Sequence, residues 1–324
     1  MKLGYLGVNT IGETNFNAKG DLGLGDLMIE CTLRFNRLAR DPSLWRDERS
    51  RSKLKNFACH GSPTLGSLPD KILIKIVKMA ASLRETRNIQ EFPEKVPFSY
   101  EYDHDFLIEV VAKISKRFRR IAAHPAFWKG NVFIYRSSVE IIELVEDYLS
   151  DATKGLWVYK NNLTTPLPKR SIAGLAGKCP NLRRLAFSML ASPSGHWLGQ
   201  LFLKPLESLE ELYLHCIVPP DMLRNVQLHR SLPNLRVLCF KRYQNHSYTD
   251  LPDMSGCDKM QRLHLSGGYY GIPAVSVFPR ELKSIVLRNA YFMAHPEYDS
   301  SHKDVLEDMK SYMTDCKIEY DPKY

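Results

Sequence analysis

An L-x-x-L-x-L pattern that returns five times in the C-terminal half constrains this chain more than any other feature. It reads LRRLAF from Leu182, LEELYL from Leu209, LRVLCF from Leu235, MQRLHL from Met260 and LKSIVL from Leu282, at spacings of 27, 26, 25 and 22 residues. One such hexamer is common by chance. Five at near-constant spacing are a repeat. In an extended segment alternate side chains share a face. Leu212 and Leu214 of the second copy therefore point to one side, and Leu209 turns into the same core where the chain runs into the strand. One copy cannot bury that apolar face alone, whereas stacked copies share a continuous core.

The surroundings of the motif repeat as well. CPN, ES, LPN and CDK lead into the first four copies, and Pro180 and Pro233 suit a loop opening onto a strand. PDMLRNVQLH from Pro220 and HWLGQLF from His196 have room to form short helices between strands. VFIY at Val132 and LWVY at Leu156 predict two earlier strands of the array, with helical periodicity in IIELVEDYL between them. DVLEDMKSYM predicts a last helix and KIEY a last strand. Gly267-Gly268 and Gly271, flanking two tyrosines, read as a turn. Residues 132–324 are thus expected to form a stack of about six to eight coils.

Residues 61–131 have a helical period instead. GSLPDKILIKIVKMAA places Ser67 and Asp70 in an S-x-x-D capping box, with Pro69 in the first turn. Ile72, Ile76 and Met79 follow on one face. In DFLIEVVAKISKRFRRIAAHPAFW, Leu107, Val111, Ile114, Phe118 and Ile121 recur at steps of four and three, which predicts one further helix. Lys116, Arg117, Arg119 and Arg120 take its other face or its end, where cations suit the dipole. His124-Pro125 stops it. Phe127 and Trp128 are expected to dock back on the core. Between the helices, residues 82–105 are polar and hold Pro93 and Pro97, which predicts a flexible loop.

With Leu68-Pro69-Asp70 at its start, Ile114, Lys116, Arg117, Phe118, Ile121 and Ala122 in its second helix and Phe127-Trp128 at its end, this block resembles the F-box, the module that binds the Skp-type adaptor of SCF ubiquitin ligases. Ser115 stands where the family usually has Cys, and the insert at 82–105 lengthens the middle beyond the family norm. Residues 26–60 resemble the latter half of a second F-box: Arg34, Phe35, Leu38, Ala39, Leu44 and Trp45 align with Arg117, Phe118, Ile121, Ala122, Phe127 and Trp128. Residues 1–25, Gly-rich and without an LP start, are expected to be disordered or irregular. The C-terminal repeats are similar to leucine-rich repeats, although Cys216 and Asn289 fall one place before the family's usual Asn or Cys. An F-box followed by leucine-rich repeats is a known pairing. The expected fold is α/β, a helical F-box followed by a leucine-rich-repeat solenoid.

Composition narrows the function classes. Of the 324 residues, 44% are hydrophobic and 25% charged, enough apolar content to build a core. The net charge of +9 attracts acidic partners, but no compact Lys/Arg run with interleaved aromatics stands out, so nucleic acid is the weaker expectation. The seven cysteines are widely spaced and never form C-x-x-C, which fits reduced thiols and a cytoplasmic or nuclear protein better than disulfides or zinc. MKLGYLGVNTIGETNF lacks the apolar run of a signal peptide, and no stretch approaches the ~18 apolar residues of a membrane span. No Gly-rich phosphate loop, G-x-S-x-G, H-E-x-x-H or calcium loop occurs. The chain is therefore expected to bind rather than catalyse, with no cofactor and no metal.

The resemblance implies a substrate receptor of an SCF-type ubiquitin ligase. The F-box would hold the Skp-type adaptor and, through it, the cullin-RING ligase, while the repeats present a protein substrate for ubiquitination. Rate would come from effective concentration and orientation. Leu68, Pro69, Ile72, Leu73, Ile76, Leu107 and Ile114 are the residues expected to contact the adaptor or support that contact, some of them as internal core. The outward strand residues, Arg184, Ser188, Glu211, Tyr213, His215, Lys241, Arg262, His264 and Arg288, are the expected substrate face. That row leans basic, which suits an acidic or phosphorylated substrate. The alternative is a repeat scaffold that recruits no ligase. A weaker third reading, an electrostatic nucleic-acid binder, implies affinity that falls steeply with salt.

Overall fold

The repeat builds one parallel sheet. The computed structural model describes residues 68–89, 96–134, 148–160, 175–189, 205–215, 226–241, 248–272, 274–294 and 302–321, all within the unit Phe57–Tyr324. The partial block at 26–60, the segment 1–25, Ser67, residues 141–147 of the helical pattern at 141–149, the segment from His196 and most of that from Pro220 lie outside the described residues.

Nine strands pair in parallel: β3 (Gly130–Ile134), β4 (Thr153–Lys160), β5 (Arg184–Met189), β6 (Glu211–His215), β7 (Val237–Lys241), β8 (Tyr248–Asp250), β9 (Arg262–Ile272), β10 (Ser284–Ala294) and β11 (Lys317–Asp321). The order is β11-β10-β9-β7-β6-β5-β4-β3. β8 joins the far part of β9, beyond the stretch paired with β7. Short helices at Leu175–Lys178 (α5) and Leu228–Ser231 (α6) and a longer one at His302–Tyr312 (α7) lie between strands, so the architecture is an α/β repeat solenoid. The strands at Val132, Leu156 and Lys317 and the final helix fall where the sequence places them.

Periodicity explains the stacking. Leu185 and Phe187, Leu212 and Leu214, Leu238 and Phe240, Leu263 and Leu265, Ile285 and Leu287 line the inner face and are buried, as are the leading residues Leu182, Leu209, Leu235, Met260 and Leu282. Every copy carries the same turn before its strand. The amide N–H of Leu182, Leu209, Leu235, Met260 and Leu282 donates to the carbonyl three residues earlier, at 3.0, 3.0, 3.1, 2.9 and 3.2 Å. The recurring Asn of the CPN and LPN lead-ins also has a role. Asn181 and Asn234 donate their side-chain amides to Asp151 and Glu207 carbonyls, stitching each turn to the preceding one.

Gly267-Gly268 is not a strand-ending turn. Both glycines have positive φ (70° and 83°), yet β9 continues through them and pairs with β10 on both sides of the bend. Asn289, opposite Gly267 in register, has φ 47°. Two neighbouring strands thus kink at one level, each with a residue type that tolerates the left-handed region.

The segment before the sheet departs further from expectation. Helix α1 (Asp70–Ala81) buries Leu73, Val77, Ala80 and Ala81, leaving Ile72, Ile76 and Met79 half-buried. Pro69 is its N-cap residue, with no side-chain cap. Ser67, the other half of the expected box, lies outside the described residues, and Asp70 pairs with Arg117 at 2.6 Å. The single helix expected over 106–122 is broken. A helix at 104–114 (α2), π-helical at Leu107–Val111, ends where Ser115 is extended, and Ser115 then caps α3 (Lys116–Ala122) by accepting the Phe118 N–H at 3.3 Å. The apolar stripe splits with it. Leu107, Val111, Phe118 and Ile121 are buried but Ile114 is 48% exposed. Phe127 and Trp128, on α4 (Pro125–Trp128), dock in the core as expected.

The insert at 82–105 is no flexible loop in its described part. β1 (Ser82–Ile89) and β2 (Val96–Tyr102) form an antiparallel hairpin, and His104 and Asp105 already belong to α2. The polar composition of 82–105 hid an alternation, Phe98-Ser99-Tyr100-Glu101-Tyr102. Its three aromatics are buried, while Ser99 and Glu101 are exposed.

Candidate functional site

The sheet's outer face carries the residues expected to meet a substrate, and strand register sets them in rows. Arg184, Glu211, Val237 and Arg262 form one row, then Ser284 and Lys317. Phe133, Trp157, Ala186, Tyr213, Cys239 and His264 form the middle row. Tyr159, Ser188, His215, Lys241, Ser266 and Arg288 form the third. All nine predicted residues do lie on this face.

Much of it is already occupied by the chain itself. Phe98 and Tyr100 of β2 close over Phe133, Trp157, Ala186, Tyr213 and Cys239 in one buried cluster. Phe98 meets Trp157 edge-on at 5.7 Å between centroids, and Tyr100 lies against Phe133 at 4.9 Å. Such pairs add about 0.5–1.5 kcal/mol each beyond burial. Asn131 donates its amide to the Ser99 carbonyl at 2.8 Å. Gly155 lets β2 come close, since a Cβ there would meet Asn131 and Phe98.

The expected substrate residues divide. Tyr213, Ser188, His215 and His264 are buried. Arg184 and Glu211 are half-buried and satisfy each other, with Arg184 Nε and Nη2 donating to the carboxylate at 2.7 and 3.1 Å. Tyr213 donates its hydroxyl to the same carboxylate at 2.8 Å, and its pKa is pushed up by burial first and by Glu211 second. Lys241 is half-buried; Arg262 and Arg288 are exposed, toward the β9–β11 end of the face.

The expected adaptor residues also divide. Leu73 and Leu107 are fully buried and Leu68 nearly so. Pro69 and Ile114 are exposed, and Ile72 and Ile76 are half-buried. Arg117 ties the start of α1 to α3, donating to the Leu68 carbonyl and, from Nε at 2.7 Å, to Asp70. Basic residues surround these apolar groups: Lys71, Lys75, Lys113, Lys116, Arg119 and Arg120 are exposed.

His104, which the sequence did not single out, joins the two regions. Its Nδ1 accepts from the Phe133 N–H at 3.3 Å, which leaves Nε2–H to donate to the Phe127 carbonyl at 3.1 Å. Complete burial lowers its pKa to about 4, so it is neutral. Only its place between an insert and an apolar helix could have signalled this role.

The thiols of Cys179, Cys257 and Cys316 are pushed up to about 11, 12 and 11 by burial, the opposite of nucleophile activation. Among the described residues no three His, Cys, Asp or Glu stand where they could hold a metal, and no helix is long and apolar enough to cross a membrane. A scan of protein-family models and a search of curated proteins find no match to this chain.

Proposed function

We propose that this chain is a substrate receptor of an SCF-type ubiquitin ligase, in which the α1–α4 segment acts as an F-box for a Skp-type adaptor and the leucine-rich repeats hold a protein substrate. The observation that carries the reading is the apolar surface left on the helices. Ile72 and Ile76 remain half-buried and Ile114 exposed, on the segment whose residues resemble an adaptor-binding module. Isolated exposed apolar residues are ordinary, but a set on one short helical unit suits docking. The test is binding of the purified chain to the adaptor, beside Ile76→Asp/Ile114→Asp. Neither site is core, so the variant should fold. Binding by the intact chain and its loss in a variant with unchanged circular dichroism supports the receptor reading. No binding by the intact chain sinks it.

One observation favours the alternative, a repeat scaffold that recruits no ligase. The hairpin between α1 and α2 departs from the family pattern and is built into the molecule by buried aromatics. On either reading, the substrate would meet the part of the outer face that β2 leaves open, toward β9–β11, where Arg262 and Arg288 are exposed. Arg262 and Arg288 would receive an acidic or phosphorylated segment there, beside the exposed carboxylates of Glu319 and Asp321 on β11.

A further inference from the structure

We propose that the helical face around Ile114 docks an acidic protein surface, one that sets carboxylates around an apolar patch. This rests on the receptor reading and names the chemistry its adaptor must present. Residues 68–81 carry three Lys and 104–129 six Lys and Arg, against only Asp70, Asp105 and Glu109. Asp70 is spent on Arg117. Lys71, Lys75, Lys113, Lys116, Arg119 and Arg120 are exposed, and among the described residues none of them has an ion-pair partner.

Their placement follows from helix geometry. Lys71, Lys75 and Lys78 recur at steps of four and three, a stripe beside Ile72, Ile76 and Met79. Lys116, Arg119 and Arg120 share one face of α3, opposite the buried Phe118 and Ile121. Asp70–Arg117 brings the starts of the two helices together. At the break between α2 and α3, Ile114 is 48% exposed, flanked in the sequence by the exposed Lys113 and Lys116.

This interleaving decides the class of partner. A membrane would need apolar side chains projecting beyond the cations, but Ile72 and Ile76 are half sunk in their own helix packing. Nucleic acid would pair the cations with stacking aromatics, and the aromatics of this unit, Phe106, Phe118, Phe127 and Trp128, are buried. A protein surface with an apolar centre and an acidic rim matches both components. Such a rim acts mainly on the rate of association.

The test is association kinetics of the full chain with purified Skp-type adaptor between about 50 and 500 mM salt. The variants are Lys116→Glu/Arg119→Glu/Arg120→Glu and, separately, Ile114→Asp. The expected result is an association rate that falls roughly tenfold with salt and roughly tenfold in the charge-reversed variant, while Ile114→Asp mainly speeds dissociation. Binding that ignores both salt and charge reversal overturns the inference and leaves the receptor reading standing. No adaptor binding at all overturns the receptor reading. In that case, charge-dependent binding of duplex DNA or of phosphatidylserine vesicles shows that the face serves another class of partner.

Discussion

Gly155 and Asn131 stand so close on the outer face that a Cβ added to Gly155 would lie 2.3 Å from the Asn131 side-chain oxygen. Asn131 also holds the hairpin, through its amide bond to the Ser99 carbonyl at 2.8 Å. Gly155→Val therefore displaces Asn131, breaks that bond and pushes on Phe98. Overpacking at such a site costs about 1–3 kcal/mol. Urea denaturation followed by tryptophan fluorescence reads it, because Trp157 lies under the hairpin. A wild-type midpoint in Gly155→Val would mean that the approach of β2 to the sheet is not tight.

The same contact separates a docked hairpin from a loop. Phe98→Ala and Tyr100→Ala each open a cavity against Trp157 or Phe133 and should cost about 3–5 kcal/mol. Ser99→Ala, exposed on the same strand, should cost under about 0.5 kcal/mol. Alternating losses along β2 in denaturation experiments are the signature. Uniformly small losses would return 82–105 to the flexible loop that its composition suggests.

His104 gives the fold a pH dependence of defined sign. The unfolded chain takes up a proton near the ordinary imidazole pKa of about 6.5, whereas the folded site refuses it until about 4. Between those values the unfolded state binds more protons, so stability falls as pH falls through that window, by up to about 3 kcal/mol. His302, also lowered by burial, acts in the same direction. His104→Asn should flatten most of the slope of urea midpoint against pH between 6.5 and 4. An unchanged slope would place its origin elsewhere.

The Arg184–Glu211–Tyr213 group predicts unequal costs for its two charges. Both are only half-buried, so Arg184→Ala loses an ion pair worth under about 1 kcal/mol. Glu211→Ala also removes the acceptor of the buried Tyr213 hydroxyl, which raises the cost to about 1–3 kcal/mol. Thermal melts of the two variants should rank in that order.

What was legible in the sequence, and what was not, follows from how locally each feature is encoded. Leu212 and Leu214 declare their strand because period two and a constant spacing need no knowledge of the rest of the fold. The same logic put Tyr213 outward, which is right about the pleat. It could not reveal that Phe98, more than a hundred residues earlier, covers it. Ile114 failed for the opposite reason. Its spacing fits a helical stripe, but Ser115 competes for the backbone as an N-cap and breaks the helix one residue later. Composition misled at 82–105 because Arg84, Glu85, Arg87, Glu91, Glu94 and Lys95 precede the short alternation at 98–102, so that the average over the segment reads as polar.

Arg117 allows the attachment of α1 to be tested apart from the stability of the sheet. It reaches the Leu68 carbonyl and the Asp70 carboxylate together, a forked contact that a lysine cannot copy. The two charged side chains are 31% and 61% exposed, so the ion pair alone contributes under about 1 kcal/mol. Its effect should be local. In Arg117→Ala, and nearly as much in Arg117→Lys, amide hydrogen exchange in α1 should quicken roughly tenfold, while amides of β5–β7 keep their protection. If the proposed receptor function holds, adaptor binding weakens with α1, because Pro69, Ile72 and Ile76 stand at its start and along it. Uniform loss of protection would mean that α1 and the sheet unfold as one unit. Unchanged exchange in α1 would mean that Leu73 and Val77, buried beneath it, are sufficient to hold the helix.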